Sequence, residues 1–313
     1  MSMLKGKDIL RTDLLTDEEV ELVLSTAARF EGVLLSGGSL QNMANLVLAT
    51  LFFEPSTRTR LSFETAMHRL GGQIVTVADP KTSSAAKGES LADSMRTVEG
   101  YADVIVIRHP RKGSAEEAAE AVSIPVINAG DGTGQHPTQA LLDVYTIQKE
   151  KGSLDGLTVT LAGDLKNGRT VHSLSNLLAR LGTRLHLVSP AGLEMPAEIT
   201  AALRSEGADV TVGTDLAAAM RESDVVYVTR IQRERFEDPQ EYESQGRLCA
   251  GLIHDRAGQA GDHHHAPPAQ SGRDCHRGRP VPGCRLLPTG CQWRARSDGV
   301  AGPGQRTRVA LSS

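Results

Sequence analysis

The chain has 313 residues, a formal net charge of −4, 39% hydrophobic residues and 3% aromatics. That length suits two domains of ordinary size, and the acid excess argues against a general nucleic-acid binder, so any basic site must be local. No apolar run reaches the roughly 20 residues of a membrane span, and the N-terminus lacks a signal-peptide h-region, so a soluble, cytoplasmic protein is expected.

Residues 7–35 read as helical, capped at Asp13 or Thr16, with Val20, Val23, Leu24 and Ala27 on the apolar stripe. A strand-like run, Leu46–Phe52, then meets Pro55 and the hydroxyls of Ser56, Thr57 and Thr59, and passes into a helical pattern of Phe63, Ala66, Met67 and Leu70. A strand running into hydroxyls and arginines at a helix N-terminus suits an oxyanion. Unpaired backbone N–H groups and the positive end of the helix dipole face the ligand, and Arg58 and Arg60 can add forked hydrogen bonds. Taken as a lone Ser-Thr-x-Thr turn, the same residues would serve equally as a capped surface helix with solvated arginines.

A strand at Gln73–Val77, a polar loop at Asp79–Gly88 and a helix entered through Glu89–Asp93 follow. The strand Val104–Ile107 ends at Arg108-His109-Pro110, a helix spans Ser114–Ala121, and a strand covers Pro125–Asn128. The loop from Gly130 reaches His136 and a long helix, Pro137–Lys149. A second set comprises a strand at Leu157–Leu161, a helix at Val171–Leu181, a strand at Arg184–Val188, a helix at Ala197–Ser205 and strands at Asp209–Val212 and Asp224–Val228. Short Val/Ile runs alternating with helices predict an α/β fold of doubly wound parallel sheets, which bind ligands at the carboxyl ends of their strands. Arg58, Arg108 and Asn128 all fall just after predicted strands. The glycines Gly163 and Gly168 lack the Gly-x-Gly-x-x-Gly spacing, and no Gly-Lys-Ser/Thr loop occurs, so a nucleotide cofactor is not expected. Alone, His136 would more often be structural than catalytic.

Longer runs carry more information. Phe52 to Glu64 closely resembles the carbamoyl-phosphate signature of the aspartate and ornithine carbamoyltransferases, and His136-Pro137-Thr138-Gln139-Ala140-Leu141-Leu142-Asp143 resembles that family's second signature. Three segments resemble the aspartate branch: Thr82–Ser90, its mobile loop; Gly163–Ser173; and Val228–Phe236. The Asp-containing Ser-Met-Gly segment expected of an ornithine enzyme is not present. A dicarboxylate substrate suits forked cations, whereas a cationic side chain would need acids.

The resemblance, covering residues 5 to about 245, implies two doubly wound domains joined by the helix after His136. These would be a carbamoyl-phosphate domain over 1–135 and an aspartate domain over 136–245. It implies that Ser56, Thr57, Arg58, Thr59, Arg108, His136 and Gln139 bind carbamoyl phosphate, with Arg58, Thr59 and His136 acting catalytically on its carbonyl oxygen. Lys87, Arg169, Arg230 and Gln232 would hold L-aspartate. No metal and no cofactor is implied. The partners implied are the two substrates and further copies of the chain in a homotrimer, with Ser83 and Lys87 reaching into a neighbour's site. The resemblance also allows regulatory or dihydroorotase subunits. An ornithine-type transferase and a non-catalytic homologue are the alternatives.

The tail departs from this pattern. Past Glu243 there is no Glu or Lys but there are ten Arg, and all four cysteines and the single Trp lie in the last quarter. The cysteine spacings of 25, 8 and 6 intervening residues fit no closed zinc site. Read one nucleotide out of frame, codons permitted for His263–Asp274 can spell Thr-Ile-Met-His-Pro-Leu-Pro-Arg-Val-Asp-Glu-Ile. Codons for Cys284–Gly302 can likewise spell a segment containing Val-Arg-Met-Ala-Leu-Leu. Both are segments the family resemblance leads one to expect here, so 246–313 is expected to be a frameshifted, disordered tail.

Overall fold

In the computed structural model, residues 3–77, 88–229 and 308–311 are described. Their contacts form two compact units. One takes in the described residues of Met1–Gly156, Asn167–Arg184 and Glu198–Asp209; the other takes in those of Leu157–Lys166, Leu185–Ala197 and Val210–Ser313.

The first unit departs from the sequence reading at its start. Helix α1 covers Asp17–Leu35 and is closed by a capping box. Thr16 Oγ1 accepts from the Glu19 N–H at 3.2 Å, while Glu19 Oε2 accepts from the Thr16 N–H at 2.8 Å. Thr12–Leu14 forms a single 3-10 turn. Before it, Ile9 lies in parallel register with Ile127. The Ile9 N–H donates to Val126 O, and the Asn128 N–H donates to Ile9 O, both at 2.9 Å. This segment is extended because it satisfies backbone groups along an open sheet edge, which a helix could not do.

That sheet contains β1 (Val47–Phe52), β2 (Gln73–Val77), β3 (Val104–His109) and β4 (Val126–Asp131), all parallel, in the order β2-β1-β3-β4. Helices α2 (Thr57–Arg69), α3 (Leu91–Glu99) and α4 (Ser114–Ala121) intervene. Alternate residues of each strand feed two cores. Ala49, Leu51, Ile105 and Ile107 pack with Met95, Ala115 and Ala118 on one face. Leu48, Phe52 and Val106 pack with Met67 and Ala129 on the other. Burial on both faces is what makes these strands read as continuous Val/Ile/Leu runs. The strand order reverses between β1 and β3, the crevice where doubly wound sheets take ligands. Helices α5 (Pro137–Lys151) and α6 (Arg169–Arg180) belong to the same unit and pack against each other. Arg180 ties α6 to the N-terminal turn by donating to Thr12 O at 3.1 Å and Leu15 O at 2.7 Å.

The second sheet has the order β7-β6-β5-β8-β9, with β5 (Thr158–Gly163), β6 (Arg184–Val188), β7 (Val210–Gly213), β8 (Val225–Thr229) and β9 (Arg308–Leu311). Helix α7 (Ala197–Ser205) matches its sequence reading. Helix α8 (Leu216–Glu222) is an addition to the sequence reading: Asp215 caps it by accepting from the Ala218 N–H at 2.9 Å. Its Leu216, Ala219 and Met220 pack on Ala162, Val188, Val226 and Val228. Thr160 and Ser223 share a buried hydroxyl–hydroxyl hydrogen bond of 2.5 Å. Of the tail, Arg308–Leu311 alone falls among the described residues, where its backbone pairs in parallel with β8. Lys87, Arg230 and Gln232 lie outside the described residues. No described helix is long and apolar enough to cross a membrane.

Candidate active site

The Ser56–Arg60 run forms the predicted helix start. Ser56 is the N-cap of α2 with an extended backbone, and it donates through Oγ to Thr59 Oγ1 at 2.9 Å instead of closing the helix. The first turn of α2 contains no acidic residue, so its N–H groups and dipole face outward without a carboxylate of their own. Thr57 and Arg58 are exposed. Arg60 folds back toward Glu64 at 3.7 Å.

The adjacent strand supplies a buried cation. In the parallel register Phe52 pairs with Arg108, and the Phe53 N–H donates to Arg108 O at 2.8 Å. The chain therefore leaves β1 for Glu54 beside the end of β3. Arg108, 9% exposed, donates through Nη1 to Ala129 O at 3.2 Å and through Nη2 to Glu54 Oε1. Arg169, at the start of α6, donates through Nη2 to the same Glu54 oxygen at 2.9 Å and through Nη1 to Gly132 O at 2.7 Å. One carboxylate thus answers two guanidiniums, and the cluster keeps positive charge for a ligand. Burial pushes Arg108 below its ordinary range, and the Arg169 charge adds to that. Burial alone would raise the Glu54 carboxyl. The hydrogen bond and charge of Arg169, with those of Arg108, outweigh it and hold Glu54 below the usual carboxylate range.

Gly130 makes this pairing possible. Its φ is +116°, and an added Cβ would stand 3.1 Å from Arg169 Cζ and 3.2 Å from Arg108 Nη1. The guanidiniums occupy space that a side chain would otherwise fill.

His136 precedes Pro137 at the start of α5 and is 5% exposed. Its N–H donates to Ser173 Oγ at 3.1 Å, and Ser173 Oγ donates to Gln135 Oε1 at 2.6 Å. Burial, then the charges of Arg169 and Arg108, lower the imidazole pKa to about 3. At neutral pH the ring is uncharged, with one N–H to give. Gln139 donates through Nε2 to Asp143 Oδ1 at 2.9 Å.

Arg108, Arg169 and His136 are therefore brought together, with Ser56–Thr59 issuing from the neighbouring strand end. Arg169, expected to face a second substrate, is held by Glu54 and Gly132 in this structure. Glu54, Gly130 and Ser173 carry no role in the sequence reading, although each lies inside or at the edge of a run that it marks.

The chain is similar to known proteins along most of its length. The family model described as aspartate/ornithine carbamoyltransferase, carbamoyl-P binding domain, matches residues 7–149. The companion Asp/Orn binding domain matches residues 155–250. The aspartate carbamoyltransferase catalytic subunit of Thermococcus kodakarensis is 56% identical over 238 residues, covering 76% of this chain and 77% of that one. Its counterpart from Methanopyrus kandleri is 53% identical over 243 residues, covering 78% of each chain. The catalytic subunit of M. jannaschii aspartate transcarbamoylase superposes with a TM-score of 0.72 at 46% identity, covering 76% of this chain and 78% of that one. The Trypanosoma cruzi enzyme in complex with N-(phosphonacetyl)-L-aspartic acid gives a TM-score of 0.73 at 39% identity, covering 82% and 79%. These relatives do not favour the ornithine alternative, and with both family domains matched in sequence along most of its length, the chain belongs to the aspartate/ornithine carbamoyltransferase family.

Proposed function

We propose that the site is built to transfer the carbamoyl group of carbamoyl phosphate to the amine of L-aspartate, giving N-carbamoyl-L-aspartate and phosphate. The observation that carries this reading is the pair of guanidiniums, Arg108 and Arg169, held on one carboxylate beside an uncharged, buried His136. Two anionic substrates must be brought together, and an excess of fixed positive charge offsets their repulsion. Ser56, Thr57, Arg58 and Thr59, with Arg108, take the phosphate. Arg58, Thr59 and His136 donate to the carbonyl oxygen, and Gln139 accepts from the carbamoyl nitrogen. The aspartate amine attacks the carbonyl carbon, and negative charge gathers on the oxygen that these donors face. The intermediate then collapses by breaking the bond from that carbon to the phosphate oxygen, and the amine's proton leaves with the phosphate. Arg169, with Lys87, Arg230 and Gln232, holds the aspartate carboxylates. The working unit is a homotrimer with shared sites in the cytoplasm, serving pyrimidine synthesis.

The tail qualifies what this polypeptide achieves. The family model stops at residue 250, and the alignments leave nearly equal shares of this chain and its relatives uncovered. With the abrupt loss of Glu and Lys after Glu243, this supports a shift of reading frame between roughly residues 240 and 262. The purified full chain is expected to bind carbamoyl phosphate saturably in calorimetry yet turn over aspartate poorly. Failure to bind carbamoyl phosphate sinks the reading of the site, and near-normal turnover sinks the reading of the tail. An unbroken gene with other codons at His263–Asp274 would also rule out the frameshift.

A further inference from the structure

The loop that presents His136 is closed around one buried carboxylate. Asp131, at the end of β4, is 2% exposed. Its Oδ1 accepts from the Gln135 N–H at 2.6 Å and from Asn128 Nδ2 at 3.2 Å, and its Oδ2 accepts from the Gly113 N–H at 2.9 Å. Asn128 Nδ2 also donates to Leu10 O at 3.0 Å, which ties the group to the N-terminal segment. Backbone bonds from the Gly134 N–H to Asp131 O (2.8 Å) and from the Asp131 N–H to Gln135 O (3.3 Å) draw the loop tight. An added Cβ on Gly134 would stand 2.6 Å from each carboxylate oxygen. Glycine at 134 is what lets the carboxylate sit inside the loop.

Burying a carboxylate among uncharged N–H donors is a poor way to gain stability, since desolvation opposes it. What the arrangement does supply is register. Asp131 fixes the N–H of Gln135, the residue before His136. The loop it closes also contains Gly132, whose carbonyl accepts from Arg169 Nη1 at 2.7 Å. A hydrogen-bond donor that stabilises developing charge must be aimed before the charge appears.

We propose that Asp131 is a positioning residue for carbamoyl transfer, holding the loop so that His136 meets the carbonyl oxygen and Gly132 orients Arg169. The proposal rests on the function proposed above. It separates from a purely structural role through the choice of ligand. Inorganic phosphate uses the Ser56–Thr59 turn and Arg108, whereas carbamoyl phosphate also needs His136.

The test is calorimetry of the full chain, of Asp131→Asn and of Gly134→Ala with each ligand, with thermal melting recorded alongside. Asp131→Asn replaces an acceptor by a donor. Gly134→Ala displaces the carboxylate without touching its charge, and it stands in if Asp131→Asn fails to fold. Both variants are expected to weaken carbamoyl phosphate binding by about tenfold, the scale of one buried hydrogen bond, and to leave phosphate binding within about twofold. Equal weakening of both ligands, or of neither, would overturn the positioning role. A parent chain that binds the two ligands alike would bring down the reading of the site, and this proposal with it.

Discussion

The Ser56–Thr59 turn and the Glu54 cluster stand at the ends of adjacent strands, and both hold arginine for an anion, yet they are built in opposite ways. In the turn, Thr57 and Arg58 are exposed, and the Ser56 and Thr59 hydroxyls bond to each other. In the cluster, Arg108 is 9% exposed and already paired, and Arg169 is anchored by a carboxylate and a carbonyl. The turn must rearrange its donors when a ligand arrives, in a setting where water weakens each contact. The cluster has met its ordering cost during folding and acts in a drier medium, where each hydrogen bond counts for more. Ligand affinity should therefore depend more on the cluster than on the turn, even though the turn supplies more of the recognisable motif.

The largest effect that could break this contrast comes from truncating each arginine. Arg108→Ala should weaken carbamoyl phosphate binding by about a hundredfold, since it removes charge-assisted hydrogen bonds from a desolvated site. Arg58→Ala should cost about tenfold, because water screens the exposed guanidinium. Calorimetry on both variants ranks them, and a larger loss for Arg58→Ala would reverse the conclusion.

A smaller effect tests whether the cluster's packing matters as well as its charge. Gly130→Ala places a methyl against both guanidiniums at φ +116° and should cost about 1–3 kcal/mol of stability. Gly152→Ala, at φ +85° with open space around it, carries backbone strain alone. Both should lower the melting temperature, while only Gly130→Ala should also weaken carbamoyl phosphate binding. Identical binding in the two variants would show that the close approach to the arginines has no bearing on the ligand.

Glu54→Gln sharpens the comparison from the other side. With the carboxylate neutralised, Arg108 and Arg169 lose their shared counter-charge, and an incoming anion meets no competitor. Inorganic phosphate should bind up to about tenfold more tightly while the melting temperature falls, as expected when a buried pair is broken on one side. Unchanged phosphate affinity would mean that Glu54 does not compete with ligands for the arginines.

The sequence made the elements and most of the cluster legible, for a physical reason. Strands buried on both faces, such as Val104–Ile107, leave an unmistakable apolar run, and residues just past their ends are fixed by the fold class. Arg108 could be placed that way, whereas His136 stood out only through the family signature that His136–Asp143 resembles. What pattern could not convey was pairing at a distance. Glu54 meets Arg169 across 115 positions, and Ser173 meets Gln135 across 38, contacts set by tertiary packing alone. The start of the chain misled for a related reason. The apolar residues of 7–11 suit a helix as well as a strand, and only the open edge beside Val126 and Asn128 decides between them. Helix α8 has seven residues, too few for its period to stand out.

The smallest effect is a pH dependence that arises in the cluster and has no counterpart in the turn. Burial beside Arg169 and Arg108 lowers the His136 pKa from 6.5 to about 3 in the folded chain. Between those values the unfolded chain takes up a proton that the folded chain refuses, so stability is lost as pH falls below 6.5. Lowering the pH from 6.5 to 5.5 should cost about 1 kcal/mol through this residue alone. Glu54, held below 4.5, adds its own loss at lower pH, so the parent chain alone cannot isolate the histidine. His136→Gln removes the titration while keeping an amide N–H donor. Denaturant melts at both pH values should show a shallower loss for His136→Gln than for the parent chain, by about that 1 kcal/mol. Parallel losses in the two chains would mean that His136 takes up a proton in the folded state, and that it meets the carbonyl oxygen as a cation and not as a neutral donor.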